Sequence, residues 1–373
     1  MAGRCPWLVR PLAAFLASRV VVLAAVLAAG AGPGLTGVLR ALASWDGAWY
    51  LSVAVFGYPD AVVEPSGRVA GNLAFFPLYP LTIRAVAVVT GLSVLPAAIL
   101  VANVLGAIAA VLLRMLVRRV ADDATADRSC VLFCLFPGSV VLSMAYAESL
   151  MLVLALGCLL ALRVRRWVVG GAAGALATLS RPNALAVAAA CLWEAAVVLR
   201  RQGGGSADGD RASTWRTLAA PLLAPAGFLG FMGFLWARTG RPDAWLFVQQ
   251  LAWQERFDFG VNTARKAVAA VTRPGPNVAV ATLGLLFVVL AAVLLWRWRP
   301  PGYLVVYSAV VVALAVLSRT LGARPRFVLT AFPLVVAVAR ATRGGLYAAV
   351  AAAFAAGLAA LSVLYTVPFG AVP

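Results

Sequence analysis

Apolar residues in this chain come in unbroken runs, separated by short polar stretches rich in arginine, and not at a helix-face or strand spacing. A continuous apolar stretch of about 20 residues matches the hydrocarbon thickness of a bilayer, so the pattern predicts membrane-crossing helices. The first run covers residues 12–31. It is too long for a signal-peptide core and reads as a retained helix. Arg4 and Arg10 ahead of it place its start in the cytoplasm, and the loop 36–75 outside. Residues 75–113 open on Pro77 and Pro80, which would break a helix interior. One crossing, with that proline-rich start in the interface, keeps Arg114, Arg118, Arg119 and Arg128 inside, whereas two crossings would put them outside. Further spans follow at 130–145, 149–162, 167–179, 184–199, 217–236, 278–296, 303–317, 327–339 and 346–365. The total is about eleven, with about nine to twelve compatible with the pattern, and several fall short of a full crossing.

Composition agrees with the pattern. Of 373 residues 63% are hydrophobic and 12% charged, and the mean hydropathy is +0.95. Soluble domains do not have that balance. The fold class is therefore an all-α polytopic membrane protein with one transmembrane domain over residues 1–373. A net charge of +18 would suggest nucleic acid in a soluble protein. Here the arginines cluster between apolar runs, as cytoplasmic loops do, so the charge reports topology and no nucleic-acid partner is expected. Residues 200–216 read as a glycine-rich cytoplasmic linker, and 237–276 as a long extracytoplasmic loop. Cys5, Cys130, Cys134, Cys158 and Cys191 show no zinc or secreted-disulfide spacing and read as small buried residues. With no histidine in the chain, a general base must be a carboxylate, a tyrosine, a cysteine or Lys266. Arg19, inside the first span, could snorkel or pair with an acid.

That topology gathers the unusual chemistry on one side. Trp45-Asp46-Gly47-Ala48-Trp49-Tyr50 places a carboxylate among aromatics at the apolar boundary. Trp and Tyr settle at membrane interfaces for their own reasons, but an acid there is costly and marks function. On the same side lie Tyr146-Ala147-Glu148-Ser149, Ser180-Arg181-Pro182-Asn183, the long loop with Asp243, Trp253, Glu255 and Asp258, and Arg319 through Arg324 and Arg326. Arginines outside run against the positive-inside rule. Phosphate accounts for them, because guanidinium forks match its oxygens; ion pairs with the outer acids are the alternative. A cavity with a carboxylate and arginines suits a lipid-linked phosphate, the carboxylate taking a proton from an acceptor hydroxyl and the arginines stabilising the departing phosphate. A membrane transporter or flippase for a lipid-linked sugar or another anionic substrate would share these features.

The order of Trp45–Tyr50 with Gly57-Tyr58, Phe75-Phe76-Pro77-Leu78-Tyr79-Pro80-Leu81, Phe136-Pro137, Tyr146–Ser149, Ser180–Asn183, and Arg326 with Phe332-Pro333-Leu334 resembles the successive motifs of the PIG-V family of GPI mannosyltransferases and its bacterial relatives. The resemblance runs over most of residues 12–334; the long outer loop and the last helix carry no matching motif. It implies a GT-C glycosyltransferase that takes a sugar, usually mannose, from a polyprenyl-phosphate donor on the non-cytoplasmic face, expected here to be that of the plasma membrane; inversion follows if the transfer is a single displacement. By the same resemblance Asp46 is the catalytic base, and Glu148 assists it or organises the site. Arg181 and Arg326 hold the donor phosphate, with Asn183 and Tyr146 as polar neighbours. Trp45, Trp49 and Tyr50 are candidates for stacking on sugar, and Arg319 and Arg324 for binding the anion. Asp46 has no Asp-x-Asp beside it, so a divalent metal is not favoured as a cofactor. Arginine-rich, Ala/Val/Gly-rich composition points to a bacterial chain, and to a glycolipid, glycan or protein hydroxyl as acceptor.

Overall fold

The computed structural model describes residues 6–32, 34–202, 211–272, 275–319 and 324–366. Among them the chain is helical, with isolated β-bridges only between Val63 and Val69 and between Phe257 and Ser318. Helix suits a chain this apolar, since each backbone amide and carbonyl then finds its partner without water.

Helix α1 (Pro6–Ala28) leads to α2 (Gly34–Leu42) and α3 (Asp46–Phe56), so much of the expected first loop is helical, closing with a 3-10 turn at Gly71–Ala74. Helix α4 (Leu78–Thr90) follows the proline-rich stretch. Its 13 residues reach about 20 Å at the helical rise of about 1.5 Å per residue, too little to cross. Helix α5 (Val94–Val120) has the full length. The segment from the prolines onward thus supplies one long helix.

Prolines divide several later runs that read as single spans. Helix α6 (Asp123–Leu135) begins where the Asp122 carboxylate accepts from the Thr125 amide at 2.7 Å, and it gives way to a 3-10 turn at Pro137–Leu142. Next come α7 (Glu148–Arg163), α8 (Trp167–Thr178) and α9 (Leu185–Gln202), the last preceded by a 3-10 turn at Pro182–Ala184. Helices α10 (Arg211–Leu223) and α11 (Ala226–Thr239) meet at Pro225 with a 45° bend. The long loop carries α12 (Ala244–Leu251) and α13 (Val261–Thr272), followed by α14 (Pro276–Trp298) and α15 (Gly302–Val316). Pro333 separates α16 (Pro325–Thr330) from α17 (Pro333–Ala341), and α18 (Gly344–Thr366) is last. Among the described residues five helices are long and apolar enough to cross, namely α1, α5, α9, α14 and α18, and the bent pair α10–α11 would be a sixth. The protein is a multi-pass membrane protein.

Helix α7 packs against both α5 and α8, with most of its residues buried. Backbone contact fixes the 3-10 turn against α16: a Cβ on Gly138 would come within 2.2 Å of the Pro325 carbonyl oxygen. That contact leaves room only for glycine, and it sets Arg326 beside the segment leading to Tyr146 and Glu148.

One end of the bundle is knit by charge. Asp127 binds both Arg10 and Arg114, the latter at 2.7 Å, and Asp123 binds Arg118 at 3.0 Å. Nine residues along α1 from Arg10, roughly 13 Å by the helical rise, Arg19 neither snorkels nor meets an acid. Its guanidinium donates to the Ser143 hydroxyl at 2.7 Å and the Ser139 carbonyl at 2.9 Å, and lies over the Phe15 ring. Arg19 thereby adds donors from α1 to the 3-10 turn that follows the break after α6. Cys130, Cys134, Cys158 and Cys191 are buried and free, as small core residues; Cys5 and Arg4 lie outside the described residues.

Candidate active site

Both candidate carboxylates open helices. Asp46 is the first residue of α3 and Glu148 the first of α7, where the exposed amides of a helix start favour negative charge. Ahead of Asp46 the backbone of Trp45 takes φ +58° and ψ −122°, a conformation that side chains other than glycine's rarely adopt. Strain of this kind persists only where the surroundings hold it, and it gathers at functional sites. Here the indole Nε1 of Trp45 donates to the Tyr365 carbonyl at 2.9 Å, and the Ser44 hydroxyl donates to the same oxygen at 3.2 Å. The Asp46 amide donates to the Tyr146 hydroxyl at 3.3 Å, and Ala145 donates to the Leu42 carbonyl at 2.9 Å.

Each carboxylate meets one arginine. Arg326 Nη1 donates to Asp46 Oδ2 at 2.6 Å, and its guanidinium also faces the rings of Phe327 and Tyr146 at 4.5 and 5.6 Å. Arg181 Nη1 lies 2.7 Å from Glu148 Oε2, with the glutamate side chain 1% exposed. This second contact is Coulombic without hydrogen-bond alignment, because neither glutamate oxygen nor Arg181 Nη1 has an aligned partner. The two pairs form one cluster: Glu148, Arg326 and Asp46 all lie within electrostatic reach of Arg181. Asn183 donates to the Thr330 hydroxyl at 3.3 Å, tying the segment after Arg181 to α16, while its Oδ1 is buried without a partner.

The remaining sequence candidates divide by place. Tyr50 is buried within reach of the four charged groups, edge-on to Phe75 and Tyr79 at 4.9 and 5.1 Å. Trp49 is half-buried, stacked on Phe75 at 6.0 Å and edge-on to Trp253 at 5.4 Å. Trp45 turns its N–H to the backbone of α18. Arg324 is half-buried at the start of α16; burial first, then the Arg326 charge, lowers its guanidinium from the usual value. Arg319 is exposed, and its backbone pairs with Arg256 and the Asn262 side chain. Among the described residues it makes no ion pair with Asp46 or Glu148.

Two contributors gave no signal in the sequence: Tyr365 comes from an Ala-rich helix without a motif, and Thr330 is an ordinary α16 position. Trp253, singled out in the long loop, donates to the Gly71 carbonyl at 3.1 Å. Among the described residues, no three His, Cys, Asp or Glu side chains converge as a metal site. Two buried ion pairs with unpartnered polar atoms beside them suit an anion and a hydroxyl brought side by side.

Residues 33–197 match the sequence model of the family described as Mannosyltransferase (PIG-V). No curated protein matches the chain significantly. In fold, the chain is similar to ArnT from Cupriavidus metallidurans, solved with undecaprenyl phosphate, at a TM-score of 0.50 and 14% identity over 88% of this chain and 60% of that one. It is similar also to the oligosaccharyltransferase of Archaeoglobus fulgidus, solved tethered to an acceptor peptide, at 0.51 and 15% identity over 95% of this chain and 56% of that one. The chain therefore spans less than two thirds of the length of either. Residues 33–197, which carry Asp46, Glu148 and Arg181, thus match the PIG-V mannosyltransferase sequence model, within a chain whose fold is similar to those of ArnT and the oligosaccharyltransferase.

Proposed function

We propose that the protein is a glycosyltransferase that moves mannose from a polyprenyl-phosphate donor to an acceptor hydroxyl on the extracytoplasmic face, with inversion at the sugar carbon. The observation that carries this reading is the Asp46–Arg326 pair set beside the Glu148–Arg181 pair, with Asp46, Glu148 and Arg181 inside the mannosyltransferase match. The fold likeness to ArnT, which binds undecaprenyl phosphate, supports a lipid-phosphate donor. The arginines paired with Asp127 and Asp123 at the opposite end support a cytoplasmic position for that end, and an outer one for the site.

In this mechanism Asp46 accepts the proton of the acceptor hydroxyl as its oxygen attacks the sugar C1. The bond from C1 to the phosphate oxygen breaks, and its electron pair leaves with the phosphate. Arg326 faces that developing charge while keeping its hold on Asp46, and Arg181 adds a second cation. Glu148 holds Arg181 in place. Trp49, with Phe75 and Trp253, offers an apolar wall on which a sugar face can rest, and Tyr50 closes the floor. One displacement inverts the sugar carbon. The acceptor is a hydroxyl of a glycolipid, a glycan or a protein.

Purified protein in liposomes, given polyprenyl-phosphate mannose with radiolabelled sugar and a mixed acceptor fraction, tests the reading. Label in a new glycosidic product supports it. Label that crosses the bilayer still attached to the original lipid would replace it with a flippase.

A further inference from the structure

Tyr365, in the last turn of α18, is fully buried, and among the described residues its hydroxyl has no hydrogen-bond partner. Buried hydroxyls are nearly always bonded, and leaving one unbonded is unfavourable. The residue is not loosely placed, since its carbonyl accepts from Trp45 at 2.9 Å and from Ser44 at 3.2 Å. These are the two residues immediately ahead of Asp46, so the end of α18 is fixed to the start of α3. The charged groups that act on the phenol are Arg326 and Arg324.

Arg326 offers a matching donor. Its Nη1 holds Asp46, but its Nε is buried and, among the described residues, makes no hydrogen bond. The same cluster therefore contains two buried unpartnered groups able to donate, a phenol and a guanidinium N–H. What both lack is an acceptor, and beside two guanidinium groups the acceptor that fits is an anionic oxygen.

We propose that Tyr365 completes an anion subsite with Arg326, its hydroxyl donating to a phosphate oxygen of the lipid-linked donor. The inference rests on the lipid-phosphate reading above and adds a contact from α18, outside the matched residues 33–197. The Tyr365 proton stays on the phenol throughout. The acceptor's proton goes to Asp46, and the electron pair of the broken C1–O bond goes to the phosphate oxygen that Tyr365 contacts. The contact strengthens as that charge develops, so it acts on turnover more than on donor affinity.

Tyr365→Phe keeps the ring and the carbonyl on which Trp45 and Ser44 depend. The expected result is a fall in kcat of about tenfold to a hundredfold, the worth of a hydrogen bond to a charged group. Weaker binding of unglycosylated polyprenyl phosphate is expected as well, with acceptor KM and thermal unfolding midpoint unchanged. Tyr303→Phe, which removes another buried unpartnered hydroxyl near Arg163 and Glu194, is the control and should leave all of these unchanged. Wild-type turnover and wild-type lipid-phosphate binding in Tyr365→Phe would overturn the subsite alone. A wild-type protein that binds no polyprenyl phosphate would overturn the donor reading, and the subsite with it.

Discussion

Arg326 Nη1 lies 2.6 Å from Asp46 Oδ2, joining the first residue of α3 to α16 across 280 positions of sequence. Neither side chain has much access to water, at 8% exposed for the arginine and 18% for the aspartate. A charge so placed depends on its partner, because removing one member leaves the other desolvated and unpaired.

Stability should report that dependence. Arg326→Met is expected to cost about 3 kcal/mol or more, as for other buried pairs broken on one side. Combining it with Asp46→Asn should cost less than the sum of the two changes, with a coupling of about 0.5–3 kcal/mol. Unfolding midpoints of the four proteins in detergent would give the coupling. Strict additivity would mean that the two groups do not support each other.

Glu148 and Arg181 form the deeper pair. Glu148→Gln keeps the shape and removes the charge, leaving Arg181 buried with Asp46 as the nearest remaining acid in its surroundings. The expected loss is about 3–5 kcal/mol of stability. Transfer activity should fall as well, since Arg181 would be free to turn toward Asp46. If Glu148→Gln left the unfolding midpoint unaltered, the pair would not be held in the native protein.

Much of this site is legible in the sequence. Asp46, Glu148, Arg181 and Arg326 each stand in a short motif of costly residues at the edge of an apolar run, and such residues need a reason at a membrane boundary. Which acid meets which arginine is not legible, because it depends on how α3, α7 and α16 pack. Tyr365 is hidden for a different reason. Helix α18 is apolar on all sides, so no periodicity marks the face that meets Trp45. The same uniformity hides helix ends. Pro137 and Pro333 divide runs that read as single spans, and only packing decides whether the pieces continue in line. Arg319 and Arg326 look alike in sequence, yet the first is exposed with its backbone paired to Arg256, and the second is buried against Asp46.

Arg19 answers a question that the sequence left open. Its guanidinium caps the broken end of α6 and the 3-10 turn that leads to Tyr146 and Glu148. Arg19→Leu should remove the guanidinium donors to the Ser139 carbonyl and the Ser143 hydroxyl and cost about 1–3 kcal/mol for each group it leaves unsatisfied. Arg19→Lys should recover part of the loss, because an ammonium supplies donors without the planar fork. A leucine variant as stable as the wild type would show that the turn does not need the cation.

The most direct test of the central claim compares Asp46→Asn with the wild type in single-turnover transfer from polyprenyl-phosphate mannose, alongside equilibrium binding of the same donor. With Asp46 as the base, the chemical step should slow by about 10²- to 10⁴-fold, the usual worth of general base catalysis, while donor binding stays within a few fold. Equal single-turnover rates for the two proteins would contradict the account and remove Asp46 from the chemistry.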